Sequence, residues 1–105
     1  MLVTTTSTVE GRPVLEYVGV VNAQSIIGAN IFKDLFAGLR DVFGGRSKTY
    51  ERVLEEAKED AMRELVERAQ SLGANGILGV DLDFETVGAG GSMLMVIATG
   101  TAVRL

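Results

Sequence analysis

Three carboxylates alternate along the chain at Asp81, Asp83 and Glu85, separated by Leu82 and Phe84. In an extended strand this spacing puts all three on one face, roughly 6.6 Å apart, and sends the two apolar residues to the other, where they are expected to enter the core. Hard cations take oxygen ligands, so the ladder is the candidate metal site of this sequence, and a divalent cation is the cofactor class it would take. The same alternation is also the ordinary solvent face of a half-buried strand, where charge blunts a sheet edge against aggregation.

A second candidate site gathers Asp34, Arg46, Tyr50 and Glu51 around predicted helix ends. Gly44-Gly45-Arg46-Ser47 precedes a helix start, where free backbone N–H groups can hold an anion and Arg46 would add a forked donor. The spacing of a phosphate-binding loop is absent, and the element before it reads as a helix, so a tight interhelical turn is the competing reading. Arg46 would then pair a carboxylate such as Asp34 or Glu51. Tyr17 and Tyr50 are the two phenols, and a tyrosine–carboxylate pair does acid–base work only in a pocket that shifts its pKa. Met93 and Met95 share a strand face and could hold a soft ion, although methionines in an apolar strand ordinarily pack the core.

The residues that are missing exclude more chemistry than those present suggest. The chain has no histidine and no cysteine. Serine triads, cysteine dyads, thiolate zinc sites and disulfides are therefore ruled out. A net charge of −4 without a basic run makes nucleic acid a poor partner. No apolar run approaches the roughly 20 residues of a spanning helix, and the amino-terminal residues lack the pattern of a signal peptide. A cytoplasmic location is the expectation.

The elements that must position these groups follow from periodicity. Leu2–Thr6 and Val14–Val21 read as strands, with Glu10-Gly11-Arg12-Pro13 as the turn between them. Alternation sends Val14, Val18 and Val20 to one face and Leu15, Tyr17 and Val21 to the other. Asn22–Ala29 is either a loop or an extension of that strand, ending at Gly28. Asn30 suits the cap of a helix from Ile31 to about Phe43, ended by Gly44-Gly45. Ser47 caps a longer helix, Lys48–Leu72, with Tyr50, Leu54, Ala57, Ala61, Leu65, Ala69 and Leu72 on one stripe and Gly73 as the stop. On its other side, Glu59–Arg63 and Glu64–Arg68 have the spacing of ion pairs. Ile77–Glu85 and Met93–Leu105 are strands joined by the loop Gly88–Ser92.

The order is β-β-α-α-β-β in a single α+β domain spanning 1–105. Hairpins at both ends are the simplest pairing, and the last strand, apolar on both faces, belongs in the centre. Helices can cover one face of so small a sheet. The second face calls for another copy of the chain, so a homo-oligomer is expected.

The chain also resembles the YbjQ family, a largely uncharacterised family named for heavy-metal binding. The residues that carry the likeness run in order along the chain. They are Val3-Thr4-Thr5-Thr6, Gly19-Val20-Val21, Gly28-Ala29-Asn30 with Lys33-Asp34, Gly44-Gly45-Arg46-Ser47 with Tyr50-Glu51, Leu72-Gly73-Ala74-Asn75, Gly79-Val80-Asp81, Met93-Leu94-Met95-Val96 and Gly100-Thr101-Ala102-Val103. The resemblance implies a dodecin-like β-α-β-β two-layer unit with an extra short amino-terminal strand, and a ring-shaped homopentamer. Soft heavy metals prefer cysteine and histidine, both absent here, so any metal would need carboxylates or methionine sulfur. Three functional readings stay open. The first is a non-enzymatic ring that binds a small ligand or ion at subunit junctions. The others are an enzyme using carboxylate or tyrosine acid–base chemistry in an intersubunit cleft, and a structural ring that recruits a protein partner.

Overall fold

The computed structural model describes residues 1–28, 30, 31 and 48–105. The expected first helix lies outside the described residues except for Asn30 and Ile31, which are helical. The Gly44-Gly45 stop and the Ser47 cap also lie outside them.

The described residues form β1 (Leu2–Val3), β2 (Glu16–Ile27), the helix α1 (Lys48–Ser71), β3 (Gly76–Val87) and β4 (Met93–Arg104). A short 3-10 turn at Ala89–Gly91 joins β3 to β4. The strands make one sheet in the order β1-β3-β4-β2. β4 is central and antiparallel to both β2 and β3, as its two apolar faces predict. β2 is longer than Val14–Val21, and it absorbs the ambiguous stretch up to Ile27.

The expected hairpin between the first two strands does not form. β1 instead pairs parallel with the start of β3, Leu2 with Gly76 and Val3 with Ile77. β4 is flanked by its two long antiparallel partners, and β1 adds to the outer edge of β3 and not to that of β2. Thr4 and Thr6 prolong the contact by accepting from Val80 N (3.0 Å) and Gly79 N (2.9 Å) through their carbonyls. The chain from Thr4 to Leu15 must then travel from the β3 edge to the far edge of β2. It crosses the face opposite α1, because Leu78 and Val103, which point to that face, are buried there apart from the main core. One end of the second face is thus covered by the chain itself and not by a partner.

The main core lies between α1 and the sheet. Ala57, Ala61, Leu65 and Ala69 recur every four residues and form one buried stripe. Opposite them lie Val21, Ala23 and Ile27 of β2, Leu94, Val96, Ala98 and Ala102 of β4, and Ile77 of β3. Alanines on both sides let the helix sit close to the strands. At its end Gly73 takes φ +84°, and Ala74 N and Gly73 N donate to the carbonyls of Ala69 and Gln70 at 3.1 and 3.0 Å. These bonds satisfy the last carbonyls and form a Schellman stop. Arg68 ties α1 to the sheet by donating to the Asn22 carbonyl while pairing Glu64 at 2.6 Å. Arg63 pairs Asp60 at 3.0 Å and not the anticipated Glu59.

Two bulges correct the face assignments. In β2, Tyr17 pairs with Val103 but Gly19 pairs with Ala102, which leaves Val18 as an extra residue. The alternation therefore flips: Val18 and Val21 face the core, while Tyr17 and Val20 are both exposed. In β3, Gly79 and Val80 oppose Gly100 alone, and Gly79 takes φ +61°. Beyond this bulge Leu82 and Phe84 do face the helix side, where Leu82 packs against the core and Phe84 stays outside it. α1 packs chiefly over β2 and β4, so Leu82 is half-buried and Phe84 is 47% exposed.

Candidate functional site: the acidic face of the sheet

The face opposite α1 is open where the amino-terminal segment does not reach. Register builds it row by row. Asp81 opposes Thr99, which opposes Asn22; Asp83, Ile97 and Gln24 form the next row; Glu85, Met95 and Ile26 form the third. Val87 and Met93 close it. The surface is therefore acidic along β3, apolar along β4, and amide-bearing then apolar along β2.

The three carboxylates share this face because the Gly79–Val80 bulge fixes the phase of everything after it. All three are exposed, and none makes an ion pair among the described residues. They act on one another instead. A side-chain hydrogen bond with Asp81 raises Asp83 above the usual carboxylate range, and repulsion from Asp81, slight desolvation and the Glu85 charge add to it. A carboxylate held up by neighbouring carboxylates is a site short of positive charge.

The second predicted group is brought together only in part. Tyr50 and Glu51 adjoin in the first turn of α1, Tyr50 half-buried against the core and Glu51 exposed. α1 lies on the other side of the sheet from the acidic ladder, so Tyr50 and Glu51 do not share a surface with it. Asp34 and Arg46 lie outside the described residues. Met93 and Met95 are half-buried on the acidic face, and therefore do not pack the main core. Sequence reasoning missed Asn22 and Gln24, the polar row beside them on β2. Their signal was the alternation Asn22-Ala23-Gln24-Ser25, with polar residues outward and small ones inward.

A model of the YbjQ family, described as "Putative heavy-metal-binding", matches residues 1–105. The chain belongs to the YbjQ family. Its relatives include two proteins named UPF0145 protein from Caulobacter vibrioides, strains NA1000 / CB15N and ATCC 19089 / CIP 103742 / CB 15. Each is 61% identical over 105 residues, covering 100% of both chains. The fold is similar to a crystal structure of a DUF74-family protein of unknown function from Pediococcus pentosaceus. That likeness has a TM-score of 0.69 at 19% identity, and it covers 100% of this chain and 97% of the other. It supports a mixed α+β fold with a four-stranded sheet.

The heavy-metal description of the YbjQ family can be tested against the donors this member carries. With no histidine or cysteine anywhere in the chain, the soft donors are its methionines. Among the described residues, no three carboxylates converge closely enough to hold an ion. The described residues of one chain do not fit a closed heavy-metal site. No helix among them is long and apolar enough to cross a membrane.

Proposed function

We propose that this YbjQ chain is a non-enzymatic, self-assembled binding protein of the cytoplasm whose seat for a small ligand or ion is completed at the junction between copies. The homopentameric ring implied by the family resemblance is the assembly it would form. Asp81, Asp83 and Glu85 would offer oxygen donors to a hard divalent cation, and Asp34, Arg46, Tyr50 and Glu51 would line a second junction site near the start of α1. The observation that carries this reading is the open acidic face. Among the described residues three carboxylates repel one another without a counter-charge, and those of one chain are too few to close a site. Repeated in a ring, they would concentrate negative potential and favour cations.

An acid–base enzyme is less well supported. Among the described residues no charged side chain is buried, and the one perturbed carboxyl, Asp83, is exposed.

Native mass spectrometry with and without chelator tests the proposal. The expected result is a pentamer carrying mass that chelation removes. The triple variant Asp81→Asn, Asp83→Asn, Glu85→Gln should keep the assembly and lose that mass. A pentamer at bare mass, with no calcium or magnesium uptake in titration calorimetry, would overturn the cation reading. A stable monomer would overturn the assembly.

A further inference from the structure

Two stretches of sheet edge are bare among the described residues. Past its bulge, β2 runs regularly from Val20 to Ile27 beside Leu94–Thr101 of β4, with no strand on its outer side. β3 is covered by β1 and by Thr4 and Thr6 only as far as Val80, and from Asp81 to Val87 its outer side is empty. The two bare stretches are nearly equal in length and flank the same part of β4.

Only the β3 stretch carries the usual protection of an edge, the charges of Asp81, Asp83 and Glu85. Val20–Ile27 contains no charge and no proline. Tyr17, Val20 and Ile26 on β2 are 71%, 79% and 56% exposed. Phe84 on β3 is exposed too, on the helix side of the sheet. Apart from the Asn22 carbonyl, which accepts from Arg68, an edge with no strand partner among the described residues, beside exposed apolar side chains, is a template for strand addition.

The charges decide which edges meet. Pairing β3 with β3 of a second copy would set Asp81, Asp83 and Glu85 against their own duplicates, where like charges already crowd. Pairing β2 with β2 would leave the β3 edge and Phe84 bare. Pairing β2 with β3 uses both. It places the Asn22 and Gln24 amides beside the three carboxylates on the open face, and Ala23 and Ile27 beside Leu82 and Phe84 on the helix side. Because β2 and β3 both run antiparallel to β4, the sheet continues across such a contact with these two strands parallel. One contact type then repeats head to tail, which is how rings close.

We propose that copies of this chain join edge to edge, Val20–Ile27 of one against Asp81–Val87 of the next, so that each junction combines the Asn22 and Gln24 amides of one copy with the Asp81, Asp83 and Glu85 carboxylates of its neighbour. This rests on the self-assembly reading above and supplies its surfaces.

Charge exchange tests it. Variant one is Asn22→Asp with Gln24→Asp, and variant two is Asp81→Lys with Asp83→Lys. All four positions are exposed, so both should fold. Variant one places acid against acid at every junction, and its half-assembly concentration should rise about tenfold over wild type. Mixing it with variant two should restore assembly, with native mass spectra showing mixed pentamers that hold no more than two copies of variant one. Hydrogen exchange of the wild-type assembly should show amides protected in both Val20–Ile27 and Asp81–Val87 that exchange freely in dilute variant one. If variant one assembles like wild type, or mixing fails to rescue it, or assembly protects neither edge, the edge pairing is overturned while self-assembly stands. If wild type itself is monomeric at working concentration, both fall.

Discussion

Gly100 shows how much one side-chain hydrogen can matter here. A Cβ at this position would lie 2.6 Å from Ile77 Cγ2, 3.3 Å from Val80 Cγ2 and 3.4 Å from the Leu78 carbonyl. Ile77 is fully buried and β-branched, so it has little room to turn aside. Gly100→Ala should cost about 1–3 kcal/mol by overpacking. Urea unfolding with an unchanged slope would report it as a lower midpoint, and an unchanged midpoint would refute it. Asp83 makes a different prediction. Its folded-state pKa is raised above 3.8, so the folded chain holds that proton more tightly than the unfolded chain. The resulting stabilisation is complete below the unfolded pKa and is lost as pH rises through the folded one. Asp83→Asn removes this dependence. In chelated buffer the variant should gain on wild type as pH rises from the acid side through that window, then hold a constant lead. A stability difference that does not vary with pH would argue against the carboxylate crowding.

At the scale of elements, the long helix and the last strand were legible because their periods are unbroken. Ala57, Ala61, Leu65 and Ala69 keep one face over the buried part of α1. Met93–Ala102 alternates without a bulge, so its two faces read correctly. β2 and β3 were misread in part where alternation breaks. One extra residue at Val18 moves Val20 outward and Val21 inward, and periodicity has no means of anticipating it beyond Gly19 in the strand. The fit of helix on sheet can be probed at Ala61, which is fully buried in the middle of the alanine stripe. Ala61→Leu should destabilise by about 1–3 kcal/mol, because the helix must lift or the leucine must leave its rotamer. Thermal unfolding of this variant beside Met62→Leu, a volume-conserving change at a half-buried neighbour, separates the effect. Equal melting temperatures would mean that the close approach is not tight.

The whole molecule explains why its surface is so apolar. A core of this size lies on one side of a sheet much longer than the amino-terminal segment can cover on the other, and among the described residues the β3 side of the helix face is partly bare. Exposed Leu15, Tyr17, Val20, Ile26 and Phe84 are the consequence. The sequence pointed to another copy of the chain as the cover of the second face. The chain covers one end itself, and the open remainder is where copies would meet. The candidate site follows the same division. Asp81, Asp83 and Glu85 were visible as a ladder, because two-residue spacing is local. Their amide neighbours Asn22 and Gln24 were not, because that proximity arises through β4.

The sequence alone determined what depends on near neighbours along the chain. It placed α1 and its glycine stop, put β4 at the centre through its two apolar faces, aligned the carboxylates, and ruled out every histidine and cysteine chemistry. Only the tertiary structure decided what depends on long-range choice: that β1 joins β3 and not β2, that the link after it crosses the sheet, and that bulges opposite Gly100–Ala102 reset both neighbouring strands. Strand partners are chosen by competition among edges distant in sequence, and a one-residue bulge reverses every side chain beyond it. Neither is written in local periodicity.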